Sequence, residues 1–476
     1  MRIKLKLLLL ALIVFFLSGC ANNPTLFERP AIPISQTISG EKGSVTPEIE
    51  LVAWQIFFTD TTVRKLIALA LEHNRDLYIA TAKIAEAQGL YQIQARELIP
   101  SINAGASGSK TRNSENFTGN NQVSDSYNIE LGLVSYELDF WGRIRNLKDA
   151  ALSDYFATLA AKRTVKLSTI SEVANAYYKW LTAKENVALG HQTLTARNKS
   201  LELIGLRRSI GIASSLDYAQ AEVSKASVET QLAQNERTLS TSYAALEVLV
   251  GTSIRDIVNS NTDLRRQFFA LSVPETLSSE VLLNRPDVIA AEEALYRANA
   301  NIDAARAAFL PRVSLIGSGG LASTDLNNLF ESSSKTWSFM PSISLPLFGN
   351  NLQANLDVTE ARKIRTVAEY ERKIQVAFSE VYTQFNARKA LEKEAIAHDT
   401  LVSAQKKRLE LSEARYNAGI SSYLEVLDSQ QDLFTAEQNQ LLAEGAEIEA
   451  IILLYKALGG GDNINLTPRE LYYNAH

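Results

Sequence analysis

The 476-residue chain has few of the residues that usually build catalytic or metal sites. One cysteine excludes an internal disulfide and argues against a thiolate metal site. The histidines are scattered without ligand spacing, at positions His73, His191, His398 and His476. No nucleophile elbow, Walker loop or paired-cysteine motif occurs. We therefore expect no catalytic residue, no metal site and no cofactor, and the chain is predicted not to be an enzyme.

The chain also lacks an excess of basic charge. It has 48 Lys and Arg against 53 Asp and Glu, a net charge of −5. An acidic chain argues against a nucleic-acid partner. Aromatic residues make up only 8%, and Ala, Leu, Glu, Gln and Ser dominate long stretches. This composition favours long helices over a compact enzyme.

The first 19 residues have the pattern of a targeting segment. Three basic residues within the first six precede an apolar run, Leu7–Leu17, which is too short for a comfortable membrane-spanning helix. Removal of this segment takes the net charge from −5 to −8. We predict that Met1–Gly19 is a signal peptide and that the Pro-, Ser- and Thr-rich stretch up to residue 50 is an extended tether.

The only cysteine, Cys20, directly follows this segment. Residues Leu17–Cys20 (LSGC) resemble a bacterial lipobox, in which the signal peptide is cut before the cysteine and the cysteine is acylated. By the same resemblance, Ala21 permits transfer to the outer membrane. The alternative is a plain signal peptide with an incidental cysteine.

Two similar stretches interrupt the longest helical runs: Arg207–Glu222 (RRSIGIASSLDYAQAE) and Arg415–Gln430 (RYNAGISSYLEVLDSQ). Each has a glycine, Gly211 or Gly419, and a serine three residues later, Ser214 or Ser422. Glycine can take the left-handed conformation that ends a helix, and serine can cap the next helix. Both stretches are predicted to be the tips of helical hairpins. Their likeness, at an offset of 208 residues, indicates an internal duplication.

The same order of patterns occurs in each half of the chain. The first half has a helical pattern, a strand, a polar loop, a strand, a long helix and a return helix: Asp76–Leu98, Ser101–Ser109, Lys110–Ser124, Tyr127–Phe140, Arg145–Ser209 and Ser215–Val250. The second half repeats it: Pro286–Leu310, Val313–Leu321, Ala322–Lys335, Trp337–Leu347, Leu352–Tyr416 and Ser422–Leu458. A continuous helix of some sixty residues would be roughly 90 Å long. The glycines of Gly317–Gly320 follow a strand but precede no helix, so they suit strand curvature better than a phosphate cradle.

This doubled order resembles the TolC/OprM family of outer-membrane efflux proteins, over nearly the whole mature chain. The motifs that carry the resemblance are Trp54–Asp60, Asp76-Leu77, Leu282–Val288, Phe309–Pro311, Leu345–Gly349, Arg415–Gly419, Leu424–Gln430 and Tyr455–Gly460. The family consists of exit ducts of tripartite pumps, and many members are lipoproteins. The resemblance implies an outer-membrane location with a long periplasmic extension, a lipid on Cys20, and a periplasmic adaptor and an inner-membrane pump as partners.

The fold class implied is mainly α with a membrane β-barrel. Four strands in one chain cannot close a membrane barrel, and hydrocarbon does not tolerate an open sheet edge. The strands must therefore be shared among chains. The family implies a homotrimer with a twelve-stranded barrel and a tunnel of twelve helical strands.

We divide the chain by this resemblance. After the signal peptide (1–19) and the lipid-anchored tether (20–50) we expect a first structural repeat at 51–283. A second repeat follows at 284–460, and 461–476 forms a C-terminal equatorial segment.

The tip carries the one constellation that we interpret as functional. Leu424, Asp428 and Gln431 are spaced i, i+4 and i+7, so they share a helix face. The resemblance places Leu424 and Asp428 on a periplasmic gate. Family members often have a basic residue where this chain has Gln431. The alternative is a solvated helix face without a role.

The resemblance adds three further gate candidates and a docking surface. Glu425 matches a position that is acidic in some relatives, and Asp217 matches an acidic residue that can hold Tyr416 in the closed state. The adaptor is expected to pack on the tips, at Gly211, Gly419, Ser214 and Ser422.

The leading hypothesis is thus a passive efflux duct for drugs or other small molecules. The alternative is a structural or adhesive lipoprotein with a helical stalk. A helical stalk does not account for two pairs of alternating strands at matching positions in the two halves. The strand pairs therefore favour the duct. The chain does not identify the substrate, since a wide duct selects little.

Overall fold

A computed structural model describes residues 29–31, 34, 52–112, 123–258, 264, 269, 277–348, 351–461 and 467–475. The predicted signal peptide, Cys20 and most of the tether lie outside these residues, as does the middle of the first polar loop. The described residues contain nine α-helices and four strands. The helices are α1 Trp54–Phe57, α2 Thr61–His73, α3 Arg75–Arg96, α4 Arg143–Ser209, α5 Ser215–Val250, α6 Pro286–Ala307, α7 Leu352–Asn417, α8 Tyr423–Ala457 and α9 Pro468–Ala475. The strands are β1 Ile102–Arg112, β2 Val123–Leu138, β3 Arg312–Ser323 and β4 Lys335–Ser344.

The main helices and strands confirm the pattern read from the sequence. The return helix α5 has the predicted bounds, and the long helices α4 and α7 contain 67 and 66 residues. Glycines 317–320 lie within β3, as expected for strand glycines. A 3₁₀ helix, Ser279–Asn284, precedes α6, and two more 3₁₀ turns lie between β3 and β4, Leu326–Asn328 and Ser332–Ser334. Among the described residues, none of the helices has both the length and the apolar character required for a membrane crossing.

The four strands form one antiparallel sheet in the order β1-β2-β3-β4. One row across it consists of Ala104, Leu131, Gly319 and Trp337, and the adjacent row of Asn103, Gly132, Ser318 and Ser338. Adjacent residues of a strand point to opposite faces. The sheet therefore has an apolar face and a polar face. On the polar face the Ser318 and Ser338 hydroxyls are 2.8 Å apart.

The chain divides into two compact units, and the sheet belongs to the unit of residues 1–31, 83–159 and 290–371. At the start of β3, the Trp141 indole N–H donates to the Pro311 carbonyl at 2.7 Å. Nearby, the Glu137 carboxylate accepts two bonds from Arg143, at 2.9 and 2.8 Å, and pairs with Arg312 at 3.2 Å. Bidentate, charge-assisted bonds of this kind hold a fixed geometry. They tie the end of β2 to the start of α4 and to β3.

The other unit, residues 32–82, 160–289 and 372–476, holds the main hydrophobic core and the hairpin tips. In the core, the Phe57 ring stacks on the Tyr455 ring with centroids 4.1 Å apart. The Tyr455 hydroxyl donates to the Val52 carbonyl at 3.1 Å and accepts from the Gly461 N–H at 2.8 Å. The Tyr455 side chain thereby holds together the segment just before α1 and the segment just after α8.

Glycine is required where α5 ends. Gly251 has a φ of +79°, and a Cβ at this position would lie 2.5 Å from the His73 carbonyl oxygen. Next to it, the Asn74 side chain donates to the Leu249 carbonyl at 2.8 Å. The close backbone approach fixes the start of α3 against the end of α5.

Candidate gate at the hairpin tips

The two tips have the same backbone geometry. Gly211 and Gly419 have φ values of +79° and +72°. In the first tip, the Ile212 N–H donates to the Arg207 carbonyl at 2.8 Å, and the equivalent bond closes the second tip at 2.9 Å. This six-to-one bond with a left-handed glycine is the Schellman ending of a helix. A Cβ on either glycine would find no atom within 4 Å, so both tips are open on the outside of the chain.

The helices that leave the tips start differently. Ser214 and Asp217 form a capping box, in which the Asp217 N–H donates to the Ser214 hydroxyl at 3.0 Å and the Ser214 N–H donates to the Asp217 carboxylate at 2.9 Å. Ser422 also occupies the N-cap position, but its side chain makes no capping bond, so the expectation that this serine caps its helix is wrong. The carboxylate of Asp217 thus engages the start of its own helix.

A residue that sequence reasoning did not select, Arg207, joins the two tips. Its guanidinium carbon lies 5.0 Å from the centroid of the Tyr416 ring, and it donates to the Asn417 side-chain oxygen at 3.1 Å. The Tyr416 ring in turn lies 5.3 Å from the Tyr423 ring. A cation over an aromatic face is attracted by the ring quadrupole. The only signal in the sequence was that Arg207 is the counterpart of Arg415 in the other tip.

Leu424, Asp428 and Gln431 lie on one exposed face of α8, as their spacing predicted. Leu424 is 48% exposed although it is apolar. The residues that α8 buries in its first three turns lie on the other side: Tyr423, Val426, Leu427, Ser429, Gln430 and Phe434. The face with Leu424 and Asp428 is therefore free for contacts outside this chain.

The structure distinguishes the two candidate gate carboxylates, Glu425 and Asp428, by their exposure and their ion-pair partners. Glu425 is half-buried and pairs with Arg415 of α7 at 3.6 Å. Asp428 is exposed and has no ion-pair or hydrogen-bond partner among the described residues. Gln431 is also exposed, and its nearest polar contact is Thr435, at 3.5 Å on the same helix. Asp428 is thus the free negative charge of this face.

Behind this face lies a buried arginine that sequence reasoning missed. Arg197 of α4 is 3% exposed and donates from Nη1 to the Gln430 side-chain oxygen. Its Nε and Nη2 have no hydrogen-bond partner among the described residues. Burial lowers the pKa of Arg197, and the nearby Tyr423 opposes this shift. A buried cation whose only hydrogen-bond partner in the described part of the chain is a neutral amide is costly, and no local sequence pattern marks it.

Three of the four scattered histidines contact carboxylates only weakly. His191 and His398 lie 3.7 Å from Glu236 and Glu394, and His73 lies 3.9 Å from Glu72. In the described part of the chain, no three His, Cys, Asp or Glu side chains are grouped as a metal site would require.

Long helical hairpins with open glycine tips, together with a short antiparallel sheet that has one apolar face, define the class of duct-forming proteins that the sequence resembled. The chain belongs to the outer membrane efflux protein family, which matches residues 66–252 and 277–460. The resemblance to TolC and OprM is thereby confirmed.

Characterised relatives cover almost the whole chain. The solvent efflux pump outer membrane protein SrpC of Pseudomonas putida is 39% identical over 461 residues, which are 95% of this chain and 97% of SrpC. The outer membrane protein OprJ of Pseudomonas aeruginosa is 36% identical over 458 residues, or 94% and 95% of the two chains. The crystal structure of the open state of the Neisseria gonorrhoeae outer membrane channel MtrE superposes with a TM-score of 0.83, at 37% identity, and covers 91% of this chain and 97% of MtrE.

Proposed function

We propose that the protein is the outer-membrane exit duct of a tripartite efflux system, which passively conducts drugs or other small molecules from the periplasm to the exterior. The observation that carries this proposal is the match of nearly the full chain to efflux-pump outer membrane proteins. The exposed faces described above are consistent with such a duct. Energy would come from an inner-membrane pump, coupled through a periplasmic adaptor.

The sheet supports a trimer with a shared barrel. The edge strands β1 and β4 are exposed along their whole length, and each leaves one side of its backbone unpaired within the sheet. An exposed edge of this kind is a template for another strand. The strands have 10 to 16 residues, and about 9 to 11 suffice to cross a bilayer. We infer that β1 of one protomer pairs with β4 of the next, so that three copies close a barrel of twelve strands.

The two faces of the sheet suit the two sides of a barrel wall. Leu131 and Trp337, which is 80% exposed, would face lipid, and the row with Ser318 and Ser338 would face the lumen. Outer-membrane barrels alternate apolar and polar residues in this way. Acylation of Cys20 would add a lipid anchor to each protomer, with Met1–Gly19 removed.

At the other end, the hairpin tips would form a closed gate. Three copies of the exposed α8 face would point Leu424 into the bore and place a ring of Asp428 carboxylates one turn further on. Three like charges at short distance repel, so the ring attracts cations or water. An adaptor would contact the tips around Gly211, Gly419, Ser214 and Ser422. When the gate opens, the helices near Tyr416 and Asp217 would move apart.

Mass measurement and planar-bilayer recording of the purified full chain test this function together. We expect a particle of three chains in detergent, and cation-selective conductance steps of one unit size. The alternative, a structural or adhesive stalk, predicts no conductance. A stable monomer would refute the shared barrel, and a trimer that never conducts would refute the duct.

The lipid anchor has its own test. Metabolic labelling with a fatty-acid probe should mark the wild type and not the Cys20→Ser variant. Label that survives the substitution would show that Cys20 is not the acylated residue.

A further inference from the structure

One residue of the predicted tether, Arg29, is bound to the helical part of the same compact unit. Its Nε and Nη2 donate to the two carboxylate oxygens of Glu292 on α6, at 2.9 and 3.1 Å. The Glu292 side chain is only 11% exposed. Among the described residues, Arg29 is the only ion-pair or hydrogen-bond partner of Glu292.

The surroundings of Glu292 make this partner important. Tyr370 of α7 is fully buried, and its hydroxyl has no hydrogen-bond partner in the described part of the chain. Burial raises the pKa of Tyr370, and the Glu292 charge adds to the rise while Arg29 opposes it. A carboxylate in such a place is destabilising when its cation is removed. The bidentate geometry of Arg29 is suited to compensating it.

Covalent geometry then limits where Cys20 can go. Nine residue steps lead from Cys20 to Arg29, so the chain between them can span at most about 32 Å. From Glu292 to the end of α6 at Ala307 is 15 residues, or about 22 Å of helix, and β3 starts five residues later. With Arg29 bound to Glu292, a contact that acts as a clamp on the N-terminal arm, Cys20 can just reach the start of the sheet. Without the clamp, the free tether would extend to Val52, and its reach would exceed about 100 Å.

We propose that Glu292 is the docking site of the chain's own N-terminal arm. The Arg29–Glu292 pair then sets the length of the segment from the acylated Cys20 to Arg29, here called the lipid leash, so that the acyl chains on Cys20 lie beside the protomer's own strands. This proposal rests on the barrel and the lipid anchor of the proposed function. The docking contact itself depends on neither.

Docking is tested by thermal unfolding of the full-length chain in detergent. Arg29→Gln should lower Tm, because it leaves the Glu292 carboxylate buried without a cation. The Arg29→Gln/Glu292→Gln double variant should unfold no lower than Glu292→Gln alone, since the two residues act as a pair. Tyr370→Phe is the matched control: it removes from the same place a hydroxyl that has no hydrogen-bond partner among the described residues, and it should leave Tm unchanged. An unchanged Tm in Arg29→Gln would overturn the docking site.

The leash is tested by shortening it. Deletion of residues 22–27 leaves three residue steps between Cys20 and Arg29, or about 11 Å, too short for both ends to be held. In the acylated protein this deletion should lower Tm as far as Arg29→Gln does. In a Cys20→Ser background the same deletion should leave Tm unchanged, because the arm is then held at one end only. Deletion of residues 36–41, between Arg29 and Val52, is the length-matched control and should be silent in both backgrounds.

The outcomes separate this proposal from the one it rests on. If the fatty-acid probe labels the shortened protein and its Tm still equals that of the full-length chain, the leash is refuted and the lipid anchor stands. If the probe fails to label the wild type, the lipid anchor and the leash both fall, while the Arg29–Glu292 coupling is judged on its own Tm values.

Discussion

The Arg285 guanidinium binds both oxygens of the Asp287 carboxylate, at 3.0 and 2.9 Å, at the start of α6. The same guanidinium donates to Glu380 of α7 at 2.7 Å and to the carbonyl of Ala457, the last residue of α8, at 2.8 Å. One side chain, 8% exposed, thus joins the start of α6, the middle of α7 and the end of α8.

We expect Arg285→Met to destabilise the protein by up to about 3–5 kcal/mol, because it removes the bidentate partner of the largely buried Asp287 carboxylate and leaves only Lys373, at 3.5 Å, as its cation among the described residues. Arg408→Met is the control: Arg408 pairs with Asp432 at the surface, where such pairs contribute about 0–1 kcal/mol. Thermal or chaotrope unfolding of the two variants beside wild type measures the difference. Equal losses of unfolding free energy in the two variants would mean that Arg285 contributes no more than an exposed ion pair does.

The same cluster predicts a pH dependence. Burial would raise the pKa of the Asp287 carboxyl, but the hydrogen bonds and charge of Arg285, with Lys373, hold it below its usual range. A depressed pKa contributes stability that is present above the unfolded pKa and is lost as the pH falls through the folded value. Stability should therefore decrease in the acid range, and Asp287→Asn should decrease less over that range than wild type. Parallel pH profiles would remove Asp287 from this role.

The Leu424→Ala/Asp428→Ala double variant should conduct more than wild type and prefer cations less. In the proposed gate, the substitution would remove the constriction and the ring of charge together. Asp432→Asn, a carboxylate on the same helix that is already paired with Arg408, is the control and should leave selectivity unchanged. Planar-bilayer recordings decide the matter. Unchanged conductance and selectivity in the double variant would move these residues off the pore.

Gln430→Glu should stabilise the packing of α4 against α8 at the tips, because it supplies the buried Arg197 with a carboxylate. Hydrogen bonds to charged groups contribute about 1.5–3 kcal/mol, so we expect a higher Tm and fewer openings in bilayer recordings. Gln431→Glu adds the same charge at the next residue, on the exposed face, and should not raise Tm. A lower Tm for Gln430→Glu would show that the charge of Arg197 is already compensated in another way.

Alanine at two glycines near the tips should have opposite effects. At Gly419, with its positive φ and open surroundings, alanine costs about 1–2 kcal/mol of backbone strain. At Gly205, inside α4, a Cβ would be 3.5 Å from the Tyr218 ring, an ordinary contact, and alanine gains about 0.5–1 kcal/mol. Hydrogen exchange of amides around each site reports the local change. Faster exchange in both variants would contradict the prediction that alanine stabilises the helix at Gly205.

The sequence by itself was sufficient for the main helices, the four strands and their order. Helix and strand periods are local, so α5 and the two tips could be placed from the letters alone, and Gly211 and Gly419 adopt the left-handed conformation that only glycine takes easily. The exposed face of Leu424, Asp428 and Gln431 followed from helical spacing. The duplication, the domain bounds and the roles of the gate residues stay predictions.

Only the tertiary structure decided which side chains meet across the chain. Arg29 finds Glu292 at a separation of 263 residues, Arg197 finds Gln430 at 233, and Arg207 finds Asn417 at 210. Helical period states which face a residue lies on, but it does not state which helix covers that face. For the same reason Glu425 and Asp428 look alike in the sequence, and packing against Arg415 of α7 pairs one carboxylate and leaves the other exposed.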